Sequence, residues 1–203
     1  MRENPALLIV DLQNDYCPGG ALQVPNGDRV IEPINRAVDF FVSAGLPVLA
    51  SRDCHQIFSK HFREHGGAWP VHCVYGTKGA DFHPALRLPE ETIILTKGMN
   101  PEQHGYSAFE ATTDNGSMLA ELLRMLKVPR LYIAGLATEY CVLCTTMDAL
   151  RHGFGATVLT DAVAGVDIVP GASDYAIEDM ENAGAQLTTV EELISKSSRG
   201  YLP

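Results

Sequence analysis

No stretch of this chain is long and apolar enough to cross a bilayer: each hydrophobic run falls well short of the ~20 residues a span needs, which excludes a helical membrane protein. The N-terminal apolar stretch in MRENPALLIVDLQ is too short for a signal peptide and is interrupted by Asp11, so a cytoplasmic location is expected. Basic clusters are missing as well. The chain has 15 Lys and Arg against 25 Asp and Glu, a net charge of −10, so no nucleic-acid partner is expected. The cysteines (Cys17, Cys54, Cys73, Cys141, Cys144) are odd in number and irregularly spaced, which excludes a disulfide-built scaffold and fits reduced thiols. Internal repeats and low-complexity segments are absent too.

What is present points to one globular domain over residues 1–203, with 46% hydrophobic and 20% charged residues. Six short runs read as strands: Ala6 to Val10, Pro47 to Ser51, Thr92 to Thr96, Leu131 to Ala134, Ala156 to Leu159 and Ala185 to Thr189. They are apolar on both faces, the mark of buried parallel strands. Helical spacing lies between them. In 28–44, Val30, Ile31, Ile34, Ala37, Val38, Phe41 and Val42 recur every three or four residues, and Gly45 stops the pattern. Further helices are expected near 116–127, 141–152 and 171–183. The alternation predicts an α/β fold of three layers: a mostly parallel six-stranded sheet with helices on both faces. The tail 195–203 is expected to be loosely held.

Residues 53–91 break this rhythm, with little periodicity and most of the seven histidines. Loops longer than about 15 residues in a compact domain are usually functional. Phe58, Phe62, Trp69 and Tyr75 make this one too apolar for a linker.

Four strands run into reactive side chains at what would be one edge of the sheet, where parallel sheets bind ligands. These are Asp11, the Asp53 and His55 pair, Lys97, and Cys141 in the turn after Leu131 to Ala134. A thiol at a strand-to-helix turn faces backbone N–H groups and the helix dipole, which lower its pKa from about 8.5. Cys141 therefore reads as a nucleophile, against the ordinary alternative of a buried structural cysteine. Beside it, a desolvated Asp11 would serve as general base, and Lys97 would favour the thiolate and pair with the carboxylate. Asp53 and His55, two apart, point to one side, with His61 and His72 beyond. Carboxylate and imidazole suit Zn, Fe or Mn rather than Ca. Cys54 points to the other face, and His65, His83, His104 and His152 read as structural or surface residues.

Five segments in this order resemble the nicotinamidases of the isochorismatase-like cysteine hydrolases. They are IVDLQNDYCPGGAL (9–22), SRDCHQIFSKHF (51–62), WPVHCVYGTKGADFHP (69–84), KGMNPEQHGYSAFEAT (97–112) and YIAGLATEYCV (132–142). The resemblance implies an isochorismatase-like fold with Asp11, Lys97 and Cys141 as catalytic triad. It implies one divalent metal ion, zinc first, on Asp53, His55 and His72, with His61 where some members supply a further ligand. It also implies a cis peptide at Leu136-Ala137, an oxyanion hole from the N–H groups of Ala137 and Cys141, and an aromatic wall of Tyr16, Trp69 and Tyr106. Two departures are visible: Tyr140 stands where several members have His, and Tyr16 where Phe is frequent.

The activity implied is hydrolysis of nicotinamide to nicotinate and ammonia through a cysteine thioester, with the metal binding the pyridine nitrogen. The expected partner is thus a small amide, and a homo-oligomer is left open. Three alternatives stand: a superfamily amidohydrolase for another small amide, a hydrolase using metal-bound hydroxide, and a metal-dependent binding protein. Members that cleave isochorismate lack a cysteine nucleophile, so Cys141 counts against that reaction.

Overall fold

Six strands make one sheet in the computed structural model, which describes residues 4–197. They are β1 (Ala6–Val10), β2 (Val48–Asp53), β3 (Ile93–Lys97), β4 (Arg130–Leu136), β5 (Gly155–Ala164) and β6 (Gln186–Thr188). All pairings are parallel and the order is β3-β2-β1-β4-β5-β6. Alternate residues of β1 feed two cores. Leu7 and Ile9 pack with Ile34, Val38 and Phe41 of α1 (Ile31–Ser43) and Leu193 of α5 (Val190–Ser197). Leu8 and Val10 share the opposite core with Leu119 and Leu123 of α2 (Leu119–Met125), Ala149 of α3 (Leu143–Arg151) and Met180 of α4 (Ala172–Asn182). The three layers are those expected.

Helix α1 ends as its sequence implies. Gly45, at φ 68°, closes a Schellman motif in which Leu46 N–H donates to Phe41 O and Gly45 N–H to Val42 O. Helix α5 was not anticipated. It continues to Ser197, so the segment 195–203 is not loose from its start; residues 198–203 lie outside the described residues. Val190 and Leu193 are buried, worth about 1.5–3 kcal/mol each, and Arg36 of α1 pairs with Glu191. Tertiary contacts of this kind hold a helix too short to form alone.

Strand order reverses between β1 and β4, opening a crevice beyond their carboxyl ends. One glycine permits the close approach there. Gly135 pairs with Val10 at φ 119°, and a Cβ on it would lie 2.0 Å from Val10 O. Gly135→Ala is therefore expected to cost about 3 kcal/mol or more, from overpacking plus an unfavourable φ. Denaturant unfolding checks this; an unchanged midpoint would contradict the tight β1–β4 contact.

The long loop is organised by buried polar clamps. Gln13 donates to Asp53 O (2.7 Å) and Ala80 O (2.8 Å) and accepts from Asp53 N–H (2.8 Å). Asp15 accepts from Cys73 N–H at 2.7 Å. Of the four aromatics singled out in the long loop, Phe62 and Trp69 are buried, whereas Phe58 and Tyr75 lie on the surface. No helix among the described residues is long and apolar enough to cross a membrane.

Candidate active site

Strands β2 and β3 run slightly further than their apolar stretches, so Asp53 and Lys97 are themselves the last paired residues, opposite one another in register. Asp11 follows β1 at φ 49°, a left-handed conformation that Asp tolerates better than most residues. Cys141 lies in a π-helical turn, Thr138–Val142, leading into α3. Such turns are often found at functional sites.

These side chains converge on the ammonium of Lys97, which is buried. Its Nζ lies 2.8 Å from Asp11 Oδ2, 2.5 Å from Asp53 Oδ1, 2.8 Å from Gly105 O and 3.5 Å from Cys141 Sγ. Ser51 donates to Asp11 Oδ1 at 2.8 Å, and Tyr16 donates to Asp53 Oδ2. Asp11, Lys97 and Cys141 thus form one contiguous cluster.

Their protonation follows from burial set against charge. Desolvation raises Asp11 to about 6 although Lys97 pulls it down. Desolvation also acts on Asp53, but Lys97, His55 and the hydrogen bonds from Lys97 and Tyr16 outweigh it and hold the group at about 2. Burial would lower Lys97, yet its two carboxylates prevail and keep it charged. Cys141 corrects the sequence reading. Burial, helped by Asp11 and Asp53, lifts its thiol well above the ordinary value, and the pull of Lys97 does not compensate. These influences favour the neutral thiol over a preformed thiolate, with the Asp11 carboxyl beside it.

A second cluster adjoins the first. The ligand atoms of His55, His61 and His72 all lie within 4.8 Å of one another, and all three residues are buried. Desolvation keeps them neutral, lowering His55 to about 4, His61 to about 3 and His72 in the same direction. His72 Nδ1 sits 2.7 Å from Pro70 O, which leaves Nε2 as the free acceptor. His55 Nε2 is buried with no hydrogen-bond partner, 3.8 Å from Asp53 Oδ1. An orphaned imidazole nitrogen among neutral imidazoles is a donor set that fits a divalent ion of the zinc class. Asp53 stands at the edge of this group, engaged by Lys97 and Tyr16, but a carboxylate keeps further lone pairs. Cys54 takes no part in the cluster.

The two clusters share a cavity lined by Cys141, Ala137, Asp53, His61 and His72. The peptide bond Leu136-Ala137 is cis. Tyr16, Trp69 and Tyr106 all line the cavity, and Trp69 Nε1 donates to Tyr106 Oη at 2.8 Å. Sequence reasoning missed two further lining residues, Leu22 and Val166, while Tyr140, noted as a departure from the family pattern, lines the cavity as well. Tyr140 meets Trp69 edge-on at 4.8 Å between centroids and stacks with Tyr106 at 6.1 Å. Its place beside Cys141 was the available signal; nothing local marked Leu22 or Val166. His104, read as structural or surface, is exposed and also contacts His61, with 3.3 Å between their Nδ1 atoms.

An isochorismatase domain model matches residues 5–192. The nicotinamidase of Escherichia coli is 40% identical, the alignment covering 92% of this chain and 95% of that one. The zinc complex of Pyrococcus horikoshii pyrazinamidase superposes with a TM-score of 0.85 at 44% identity, covering 92% and 99%. PnC1 from L. infantum, solved with nicotinate, gives 0.81 at 34% identity over 93% of each chain. The family model takes in all six strands and each residue of the two clusters, so the fold, the cysteine site and the match agree: this chain belongs to the isochorismatase family.

Proposed function

We propose that the protein hydrolyses nicotinamide to nicotinate and ammonia, with Cys141 as nucleophile, Asp11 as proton shuttle and Lys97 as electrostatic support. The observation that carries this is a buried thiol and a carboxylate sharing one ammonium, Lys97, at the wall of an aromatic cavity. The similarity to proteins named nicotinamidase and pyrazinamidase selects pyridine and pyrazine carboxamides as the substrates. Tyr16, Trp69, Tyr106 and Tyr140, which line the cavity, offer aromatic faces for such a ring.

Asp11, ionised at neutral pH, takes the thiol proton as Cys141 Sγ attacks the amide carbon. Backbone N–H groups of Ala137 and Cys141 are assigned to the oxyanion, a donor role worth about 3 kcal/mol each. The C–N bond breaks and Asp11 protonates the departing nitrogen, releasing ammonia. Water then gives a proton to Asp11 and attacks the thioester; the departing Cys141 thiolate takes that proton back from Asp11, and the acid product leaves and ionises to nicotinate. Lys97 stays charged throughout and balances the carboxylates.

We assign His55, His61, His72 and Asp53 to one divalent metal ion, zinc first. Bound there, it would supply a Lewis acid for the ring nitrogen of the substrate. Unpaired thiols at all five cysteines support a cytoplasmic location.

Metal-loaded protein is expected to release ammonia and nicotinate in equal amounts from nicotinamide, and chelation to raise KM far more than it lowers kcat. Silence from the loaded protein would make nicotinamide the wrong substrate. A kcat that collapsed on chelation with KM unchanged would favour metal-bound hydroxide as nucleophile.

A further inference from the structure

His104 is an exposed side chain that touches the metal-type cluster from outside. Its Nδ1 lies 3.3 Å from His61 Nδ1, and its ring stacks on Tyr106 at 5.7 Å and 17°. Its loop is fixed at several points. Lys60, next to His61, pairs with Glu102 at 2.5 Å, and Lys60 N–H donates to Pro101 O at 2.9 Å. Gly105 O accepts from Lys97 at 2.8 Å, and a Cβ at Gly105 would meet Gly98 N at 2.8 Å. The backbone around His104 is therefore tied both to the segment bearing His61 and to the central lysine.

Two Nδ1 atoms at this distance require that one donate and the other accept. If His61 offers Nε2 to a metal, its proton sits on Nδ1, and His104 Nδ1 must be the acceptor. The second proton of that pair then sits on His104 Nε2. His72 has the equivalent arrangement, its Nδ1 held by Pro70 O, so both imidazoles are braced from outside with Nε2 free. Outer partners of metal-bound imidazoles fix tautomer and ring angle, and losing one typically costs 10–100-fold in affinity.

We propose that His104 is a positioning residue of the metal site, accepting the Nδ1 proton of His61 and so presenting His61 Nε2 to the ion. This rests on the metal assignment above. The test is zinc affinity measured by competition with a chromophoric chelator, which needs no turnover. His104→Ala is expected to weaken zinc binding about 10–100-fold. His104→Asn, which keeps a carbonyl acceptor, is expected to recover part of that loss. His61→Ala should lose at least as much, and the double variant no more than His61→Ala alone. Because His104 is exposed, circular dichroism and melting of zinc-free His104→Ala and His104→Asn should match the wild type. Wild-type affinity in His104→Ala, or losses that add in the double variant, would overturn the proposal. If wild type binds zinc but His61→Ala binds it equally well, His61 is no ligand and the inference falls while the metal site stands. Failure of the wild type to bind zinc removes the metal assignment itself, a result separable from either.

Discussion

Replacing Cys141 with alanine is expected to lower nicotinamide turnover ~10⁴-fold or more while leaving the fold in place. Cys141 Sγ is the group facing Lys97 Nζ at 3.5 Å, and none of the other four cysteines lines the cavity. Losing a buried thiol of this size opens a small void worth about 1 kcal/mol, so folding should survive. Cys141→Ser is expected to fare little better. A hydroxyl is a far weaker acid than a thiol, and Asp11 at about 6 is a weak base for it. Single-turnover ammonia release beside calorimetric binding of nicotinamide separates chemistry from affinity. A Cys141→Ala enzyme retaining a tenth of wild-type kcat would rule out the thioester and return attention to metal-bound hydroxide.

Asp11→Asn is expected to cost ~10³–10⁴-fold in kcat and to erase the acid limb of the pH profile. Burial disfavours the Asp11 carboxylate and raises it to about 6. The working form is the carboxylate, so wild-type kcat/KM should be full above that pH and fall as pH drops through it, tenfold per unit. Cys141 adds no limb in this range, because its thiol stays protonated from acid to neutral pH. Asparagine keeps the shape and the contact with Ser51 but accepts no proton and leaves Lys97 with one fewer anion. A wild-type profile flat from pH 5 to 8, roughly the range in which such a base titrates, would remove Asp11 from the proton-transfer step.

The order of strands and helices was open to reading because periodicity is local. Val30 to Val42 announced α1, and Gly45 its end. Helix α5 escaped notice because its short apolar face gains meaning only against α1. The reactive residues were visible at strand ends, yet the cavity was only partly so. Leu22 and Val166 sit in loops whose sequences carry no signal, and they reach the cavity through the fold of distant segments. His104 is the surface residue expected, and its contact with His61 was invisible because it joins segments 43 residues apart.

The sequence by itself determined the α/β layering, the chain order of the strands and the identity of the side chains at the carboxyl ends of β1, β2, β3 and β4. Each follows from the residue's own neighbours, a period of two or 3.6 and a few turn residues. Only the tertiary structure decided what those groups are chemically. Burial and through-space charge, summed over segments far apart in the chain, push the Cys141 thiol and the Asp11 carboxyl up and His55, His61 and His72 down.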